Sequence, residues 1–459
     1  MFPNHQRRFG QLEILAVPLL GLALVCGCTA ASSNARTLGA QQRELNTASF
    51  DAVWTTIKEK HWDPTLGGVD WDGARAELRP QVEHAKTMDE ARTAIRVLLA
   101  RLNQSHFGII PAEAYSNRDN TDGDAPVSES AGDGVRGVIE IQPRVIDGEA
   151  VVWRVQPESS AARAGVKPGW RITRIDGQPV ADRLKHTFAV YDLPREREIG
   201  QIVTLTSTLH GEVGRHLKMG FLDAQDSPRE LEIAFEKPIG KTTVFGYLPP
   251  MMVDFQAHRI DGDIGYITFS MFLDPARIMP EFEQAVRDFM DAPGIIVDLR
   301  GNPGGLGAMS MGMAGWFVGQ PDQSLGRMIT RNGDINFIVN PRAQTYDGPL
   351  AILVDVMSMS TTEIMAGGLH DLGRARIFGT PTGGAALPSV IEVLPNGDRF
   401  QYAFANYIAV GGKPLEGEGV PVDELTPLSR AALLDGRDPS VEGAVAWIRA
   451  QRGTATRAE

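Results

Sequence analysis

At residues 353–363 the chain reads LVDVMSMSTTE, where an apolar run passes into a helical pattern. Residues 350–356 are of strand length and apolar except for Asp355, which is typical of a strand buried on both faces. Ile364, Met365 and Ala366 then continue as a helix. A buried strand that leads through a serine into a helix predicts an α/β domain around this segment.

Ser360 stands at the start of that helix, and two explanations fit it. Ser360 and Glu363 have the spacing of a capping box, which alone accounts for both residues. Alternatively, the hydroxyl is a nucleophile. It lies beside unpaired N–H groups and the positive end of the helix dipole, where a tetrahedral oxyanion is stabilised. The residues by themselves leave both explanations open.

The α/β pattern continues from residue 263 onward. Residues 264–269 and 294–299 have strand character, residues 280–290 form an amphipathic helix, and residues 439–450 form a closing helix. Two strand candidates, residues 390–394 and 400–405, flank the turn signal Pro395-Asn396-Gly397-Asp398, which predicts a hairpin.

Two further segments precede this core. Residues 46–120 form a helical segment, in which Phe50, Val53, Trp54 and Ile57 share one helix face and residues 89–102 form an amphipathic helix. That helix leads directly to Ser105-His106. Residues 116–134 are rich in Asn, Asp, Gly and Ser, as in a linker. Short β-like runs then indicate a small β-rich domain at residues 134–238.

The N-terminus has the pattern of a secretion signal. Arg7 and Arg8 precede an apolar run at residues 14–25, and Cys26-Gly27-Cys28 follows. The run is shorter than the roughly 20 apolar residues of a membrane span. We therefore expect a signal peptide at residues 1–28 and a small, polar tether at residues 29–45.

Composition excludes several classes of function. The chain has 459 residues and a net charge of -12 without blocks of like charge, which argues against nucleic acid as a partner. Its 2 cysteines, Cys26 and Cys28, leave the body of the protein without a cysteine nucleophile, a disulfide framework or a cysteine zinc site. Neither a His-Glu-x-x-His nor a Gly-x-Ser-x-Gly motif is present. We expect no metal and no cofactor.

Three ordered motifs resemble those of C-terminal processing proteases. They are DLRGNPGG at residues 298–305, SMSTTE at residues 358–363 and GTPTGG at residues 379–384. The resemblance implies a crotonase-like (ClpP/crotonase-type) α/β peptidase core at residues 239–455, and hydrolysis of peptide bonds through an acyl-enzyme on Ser360. It also implies an oxyanion hole formed by the amide of Thr361 and one from Gly304 or Gly305.

Two other segments carry resemblances. Residues 160–180 resemble the PDZ domains of bacterial proteases, with Trp170 where Asp is usual and an apparent insertion around residues 190–225. This implies a PDZ-like domain at residues 134–238 that recruits polypeptide substrates by strand addition. Residues 25–28 resemble a bacterial lipobox. That implies a lipid on Cys28, which anchors the protein to a membrane of the cell envelope so that it faces the periplasm. An ordinary signal peptide is the alternative.

One departure from the family concerns the base. Where those proteases carry a general-base Lys, this chain has Ala385, and a methyl group accepts no proton. Ser105-His106 resembles the Ser-His pair of the tricorn branch, and Glu416 fits that branch's Glu motif, with Glu418 as an alternate. The resemblance implies that His106 deprotonates Ser360 and that Glu416 orients it through Ser105. His106 could instead be structural, and His61 and His370 are weaker rivals.

Two other functions compete with peptidase activity. Without a Lys at residue 385, the chain could be an inactive homologue that binds peptides or lipophilic ligands on the same fold. A crotonase-type acyl-CoA enzyme fits the core, but the export signal and the PDZ-like domain weaken it. The observation that separates a peptidase from an inactive homologue is whether His106 lies within hydrogen-bond reach of Ser360.

Overall fold

A computed structural model describes residues 37–115, 136–191 and 193–455. The signal peptide with Cys28, residues 29–36 of the predicted tether and the whole predicted linker at 116–134 lie outside these ranges. The described chain forms an N-terminal helical segment, a β-rich domain and an α/β core. None of the helices in these ranges combines the length and apolar composition that a membrane crossing requires.

The N-terminal segment is a bundle of three helices that ends in a short strand. These elements are α1 (Ala40–Lys60), α2 (Trp71–Glu83), α3 (Met88–Ala100) and β1 (Gly108–Ile110). Asp70 and Thr87 cap α2 and α3 by accepting the amide protons of Gly73 and Glu90. The predicted face of α1 is buried against α2 and α3, and the bundle's core includes Phe50, Val53, Ile57, Leu78, Ile95 and Leu98.

The tether prediction is too long at its C-terminal end. Helix α1 begins at Ala40 and not after residue 45. Residues 41–45, Gln-Gln-Arg-Glu-Leu, are unbranched or γ-branched side chains with good helix propensity, which extends the helix toward the N-terminus.

The β-rich domain has a five-stranded sheet in the order β3-β4-β5-β8-β9, with β6 beside β5. Its elements are β2 (Arg136–Val138), β3 (Ile141–Ile146), β4 (Glu149–Val155), α4 (Ser160–Arg163), β5 (Arg171–Ile175), β6 (Gln178–Pro179), α5 (Val180–Val190), α6 (Pro194–Thr208), β7 (His210–Glu212), β8 (His216–Leu222) and β9 (Pro228–Ala234). Residues 160–180 begin with the short helix α4, and Gly165, with φ +85°, follows its end. The predicted insertion is wrong for β8, whose alternating side chains place it inside the sheet between β5 and β9.

The α/β core is built on a second sheet, in the order β12-β13-β14-β17-β18-β22. Only β12 is antiparallel to its neighbour, and β14 and β17 are buried along their whole length, as predicted. Its elements are β10 (Lys241–Thr243), β11 (Met251–Val253), β12 (Phe255–Ile260), β13 (Ile264–Phe269), α7 (Pro275–Asp288), β14 (Ile295–Asp298), α8 (Gly307–Ala314), β15 (Gln323–Thr330), β16 (Gly333–Val339), β17 (Leu350–Val354), α9 (Thr361–Asp371), β18 (Arg376–Gly379), β19 (Ser389–Val393), β20 (Arg399–Ala403), β21 (Ala405–Ala409), β22 (Glu424–Leu425), α10 (Arg430–Leu434) and α11 (Pro439–Ala455).

Two sequence predictions in the core can be compared with these elements. The hairpin is confirmed, because β19 pairs antiparallel with β20 and Gly397 has φ +88° in the turn. The helix predicted to start at Pro280 begins at Pro275 instead. Both prolines suit a helix start, but Pro275 takes the first turn, where its missing N–H costs nothing.

The β-rich domain packs directly on the core beside residue 360. Ile199 and Ile202 of α6 share an apolar cluster with Met359 and Ala385 of the core. Next to this cluster, Arg144 donates to the Asp355 carboxylate from Nε at 3.0 Å and from Nη2 at 2.8 Å. The β-rich domain therefore covers the connection between β17 and α9 at residues 354–361.

Candidate active site

Ser360 occupies the sharp turn between β17 and α9. It is the N-cap of α9 and has φ 56° and ψ -122°. Positive φ is uncommon outside glycine, and strained backbone of this kind clusters at functional sites. Its N–H donates both to the Ala385 carbonyl oxygen at 2.8 Å and to Glu363 Oε2 at 2.9 Å. The surrounding chain therefore fixes the strained turn from two sides.

Glu363 is a buried carboxylate beneath this turn. Besides the Ser360 amide it accepts hydrogen bonds from Thr382 Oγ1 at 2.5 Å, Gly384 N at 2.8 Å and Ala385 N at 3.0 Å. Burial raises its pKa to about 7, against the effect of these donors. Glu363 thus supplies its half of the predicted capping box. Its own N–H donates to the Ser360 carbonyl oxygen at 2.8 Å, and the two residues together form the predicted capping box.

The two candidate glycines of the oxyanion hole differ. A Cβ placed on Gly304 would lie 2.7 Å from the Ser360 Cβ, so only glycine fits against Ser360. The Gly304 N–H, however, donates to Asn302 Oδ1 at 2.9 Å. Within residues 37–115, 136–191 and 193–455, the amides of Gly305 and Thr361 have no acceptor. These two amides are therefore the ones available to an oxyanion.

Three predicted residues come together on the other side of the site as what we call the base relay: His106, Ser105 and Glu416. Ser105 Oγ lies 2.7 Å from His106 Nδ1 and 2.8 Å from Glu416 Oε2. The Ser105 N–H donates to Glu416 Oε1 at 2.7 Å. The structure thus brings Glu416 to Ser105, whereas Glu418 is exposed.

These contacts define the tautomer of His106. A carboxylate only accepts hydrogen bonds, so the single Ser105 hydroxyl proton is directed to Glu416. Ser105 Oγ must then accept from His106 Nδ1–H, which leaves a lone pair on Nε2. Burial lowers the pKa of His106 to about 4. Burial raises the pKa of Glu416, while the two Ser105 donors lower it.

Residues 384–386 connect the two sides of the site. The Ala385 carbonyl accepts from Ser360, and the next amide, that of Ala386, donates to Glu416 Oε2 at 3.0 Å. Ser360 and the base relay therefore flank one short segment. Among the described residues, no hydrogen bond joins the Ser360 hydroxyl to His106, so the contact expected to separate a peptidase from an inactive homologue is not formed in this structure.

The rival histidines are engaged elsewhere. His61 Nε2 pairs with Gln104 Oε1 at 3.0 Å, and its ring stacks on Phe107. His370 Nε2 lies 3.2 Å from Asp423 Oδ1 at the far end of α9. Sequence reasoning missed Asn302, whose Oδ1 also accepts from Thr362 Oγ1 at 3.0 Å and so ties the glycine segment to α9. Its place inside the motif at residues 298–305 was the available signal.

Comparisons with known proteins agree with this architecture. Residues 263–426 match the family model of peptidase family S41, residues 44–100 match the tricorn protease C1 domain, and residues 125–206 match the PDZ domain. The chain is 28% identical over 394 residues to carboxyl-terminal-processing peptidase 3, chloroplastic, of Arabidopsis thaliana, covering 83% of this chain and 69% of the relative. It is 25% identical over 378 residues to the carboxyl-terminal-processing protease of a Synechocystis species, covering 81% and 79%.

Solved structures show the same fold. The photosystem II D1 C-terminal processing protease superposes with a TM-score of 0.54 at 19% identity, over 87% of this chain and 96% of that one. Mature CPAF superposes with a TM-score of 0.59 at 12% identity, over 86% and 94%. Fold and family matches together define a serine-type peptidase. More particularly, the chain is a serine peptidase related to the carboxyl-terminal processing proteases, with a PDZ domain, and the resemblance stated from its motifs is confirmed.

Proposed function

We propose that this protein is an exported serine endopeptidase that cleaves polypeptides through an acyl-enzyme on Ser360, with His106 as the base. The observation that carries this proposal is the base relay. The contacts of Ser105 direct the Nδ1 proton of His106 toward Ser105 and leave Nε2 able to accept a proton. A merely structural histidine would not require a buried carboxylate to be aligned through a serine hydroxyl.

In the proposed reaction, Ser360 Oγ attacks the peptide carbonyl carbon and its proton passes to His106 Nε2. The amides of Thr361 and Gly305 donate to the resulting oxyanion. When the C–N bond breaks, the imidazolium gives its proton to the leaving amine. Water then attacks the acyl-enzyme with His106 again as base, and Ser360 leaves with its proton restored. Glu416 stabilises the imidazolium through Ser105.

The direct contact between nucleophile and base belongs to the substrate-bound state in this proposal. Catalytic hydrogen bonds are often long in ligand-free enzymes and shorten when substrate binds. Ala385 supports a His base over a Lys base. It is 3% exposed and packs among Ile199, Ile202 and Met359, so the position that carries Lys in the resembling proteases lies here in an apolar cluster.

The remaining assignments are part of the same proposal. The parallel strands β13, β14, β17, β18 and β22 support a crotonase-like core at 239–455, with a helical segment at 46–120 and a PDZ-like domain at 134–238 that recruits substrates. We assign residues 1–28 as a lipoprotein signal peptide, with lipidation of Cys28. The protein would then be anchored in a bacterial cell envelope, facing the periplasm.

Labelling with a serine-directed fluorophosphonate tests the proposal. The wild type should be labelled at Ser360, as located by peptide mapping, and Ser360→Ala should not. His106→Ala should be labelled far more slowly, because its serine lacks a base, whereas His370→Ala should match the wild type. A wild type that is neither labelled nor active on any peptide would favour the inactive homologue that binds peptides or lipophilic ligands.

A further inference from the structure

His61 ends helix α1 as its C-cap, and it is completely buried. Its N–H donates to the Ile57 carbonyl oxygen at 3.0 Å, and its carbonyl oxygen accepts from Arg331 Nε in the turn between β15 and β16. Both ring nitrogens are engaged as well. Nε2 lies 3.0 Å from Gln104 Oε1, and the Asp63 N–H donates to Nδ1 at 3.0 Å. A carbonyl oxygen only accepts, so Nε2 carries the ring proton and donates it to Gln104.

The ring contacts of His61 fall on both sides of the Ser105–His106 pair. Gln104, which accepts from Nε2, directly precedes the pair. Phe107 directly follows it, and its ring stacks on that of His61 with 5.6 Å between the ring centroids. One buried imidazole therefore holds the connection between α3 and β1 immediately before and immediately after the base relay's histidine and serine.

The backbone of His106 needs such support, because its φ is 62°. Backbone in this sparsely populated region persists only where the surrounding structure fixes it. From the core, Glu416 binds the Ser105 N–H. From the helical segment, His61 binds the two neighbours of the pair. Two different parts of the chain thus fix the direction in which His106 points.

We propose that His61 is a positioning residue for catalysis, which keeps Gln104 and Phe107 in place so that His106 presents its Nε2 lone pair to Ser360. An imidazole suits this task because one ring both donates to an amide oxygen and offers a flat face to an aromatic neighbour. This inference rests on the proposed function and adds to the base relay a residue outside it.

The test removes the hydrogen bond from each partner in turn. His61→Phe keeps the aromatic face and loses the donor, and Gln104→Leu loses the acceptor. His84→Phe is the matched control, because His84 is the C-cap of α2 but is exposed. Losing the partner that orients a metal-binding histidine typically costs about 10- to 100-fold, and we expect a similar factor here. Both variants should lower kcat on a short peptide, and the rate of fluorophosphonate labelling, by that factor with KM nearly unchanged. The control should match the wild type.

Two further measurements separate positioning from a loss of stability. The double mutant should be no slower than the slower single mutant, because both substitutions remove one contact. The acid limb of kcat/KM should move from near pH 4 toward 6.5, because a loosely held His106 ring gains hydration. Variants that melt at a lower temperature but keep the wild-type kcat and acid limb would overturn the inference, as would losses that multiply.

A variant that does not fold leaves the comparison intact. If His61→Phe fails to fold by thermal melting, Gln104→Leu carries the same test, because the Gln104 side chain is only half-buried. Labelling that persists in Ser360→Ala would instead overturn the proposed function, whatever His61 does.

Discussion

The two sides of the candidate site are assembled in different ways. On the nucleophile side, Ser360 and Glu363 share one turn, and Glu363 binds Gly384, 21 residues further along the same core. On the base side, Ser105 and Glu416 are 311 residues apart and belong to different parts of the chain. The nucleophile side can form as the core folds, whereas the base side also needs the N-terminal helices in place. The base side therefore depends on contacts between distant parts of the chain.

The largest effect should come from removing either reacting group. Ser360→Ala and His106→Ala should each lower kcat by a factor on the order of 10⁶, and the double mutant should be no worse than either, because the two act as a unit. Single-turnover kinetics on a peptide measure this. Full activity of His106→Ala would show that the base side takes no part in the mechanism.

A smaller loss is expected when only the orienting group changes. Glu416→Gln should lower kcat by a factor on the order of 10⁴, since removing the orienting carboxylate of a triad costs less than removing the nucleophile or base. Glu418→Gln is the matched control, because Glu418 is exposed two residues away, and it should behave as the wild type. Equal effects of the two substitutions would contradict the assignment of Glu416.

Introducing the lysine of the resembling proteases at residue 385 should destabilise the protein. Ala385→Lys places a charge among Ile199, Ile202 and Met359, and we expect the free energy of unfolding to fall by about 3 kcal/mol or more, without a gain in activity. Urea denaturation measures the change, and Ala385→Met controls for added volume, which costs about 1–3 kcal/mol. Higher activity in Ala385→Lys would mean that the nucleophile side can work without the base relay.

The smallest expected effect is the dependence of activity and stability on pH. The base must be neutral, and the pKa of His106 is lowered to about 4, so kcat/KM should fall on the acid side near this value and not near 6.5. The same shift means that the imidazole contributes stability above its ordinary pKa of 6.5 and that this contribution is lost as the pH falls toward 4. It amounts to about 3 kcal/mol.

The contribution of Glu363 to stability should change with pH in the opposite direction to that of His106. This distinguishes the nucleophile side from the base side. Its pKa is raised from 4.5 to about 7, so its contribution to stability is complete below 4.5 and is lost as the pH rises through 7. Unfolding curves from pH 4 to pH 8 for wild type, His106→Gln and Glu363→Gln measure both. The two windows overlap between pH 4.5 and 6.5, where the contributions have opposite signs. His106→Gln should therefore leave a stability that falls as the pH rises toward 7, and Glu363→Gln one that falls as the pH drops toward 4. The same slope in both variants would contradict these assignments.

Short-range patterns explain most of what the sequence predicted correctly. Continuous apolar runs marked the buried strands β14 and β17, and the i, i+3, i+4, i+7 spacing marked the buried face of α1. Element ends were less accurate, as at Ala40 and Pro275, because propensity changes gradually at a helix end whereas the helix itself stops at one residue.

Predicting the candidate site required the resemblance to known proteases in addition to these patterns. Hydrophobic periodicity cannot reveal that residues 105 and 416 meet, because their contact depends on how three parts of the chain dock. Nor could it distinguish Gly304 from Gly305, since the difference is a single hydrogen bond from Asn302.

The joint between the PDZ-like domain and the core also contains a natural optical probe. Trp153 is 2% exposed, and its ring lies 4.1 Å from the guanidinium carbon of Arg144 and 3.9 Å from that of Arg154. Both arginines reach across to core carboxylates, Arg144 to Asp355 and Arg154 to Asp298. Separation of the domains would expose this indole to water and shift its emission to longer wavelength. Comparing the wild type with Trp153→Phe would therefore allow domain docking to be followed in real time without an added dye.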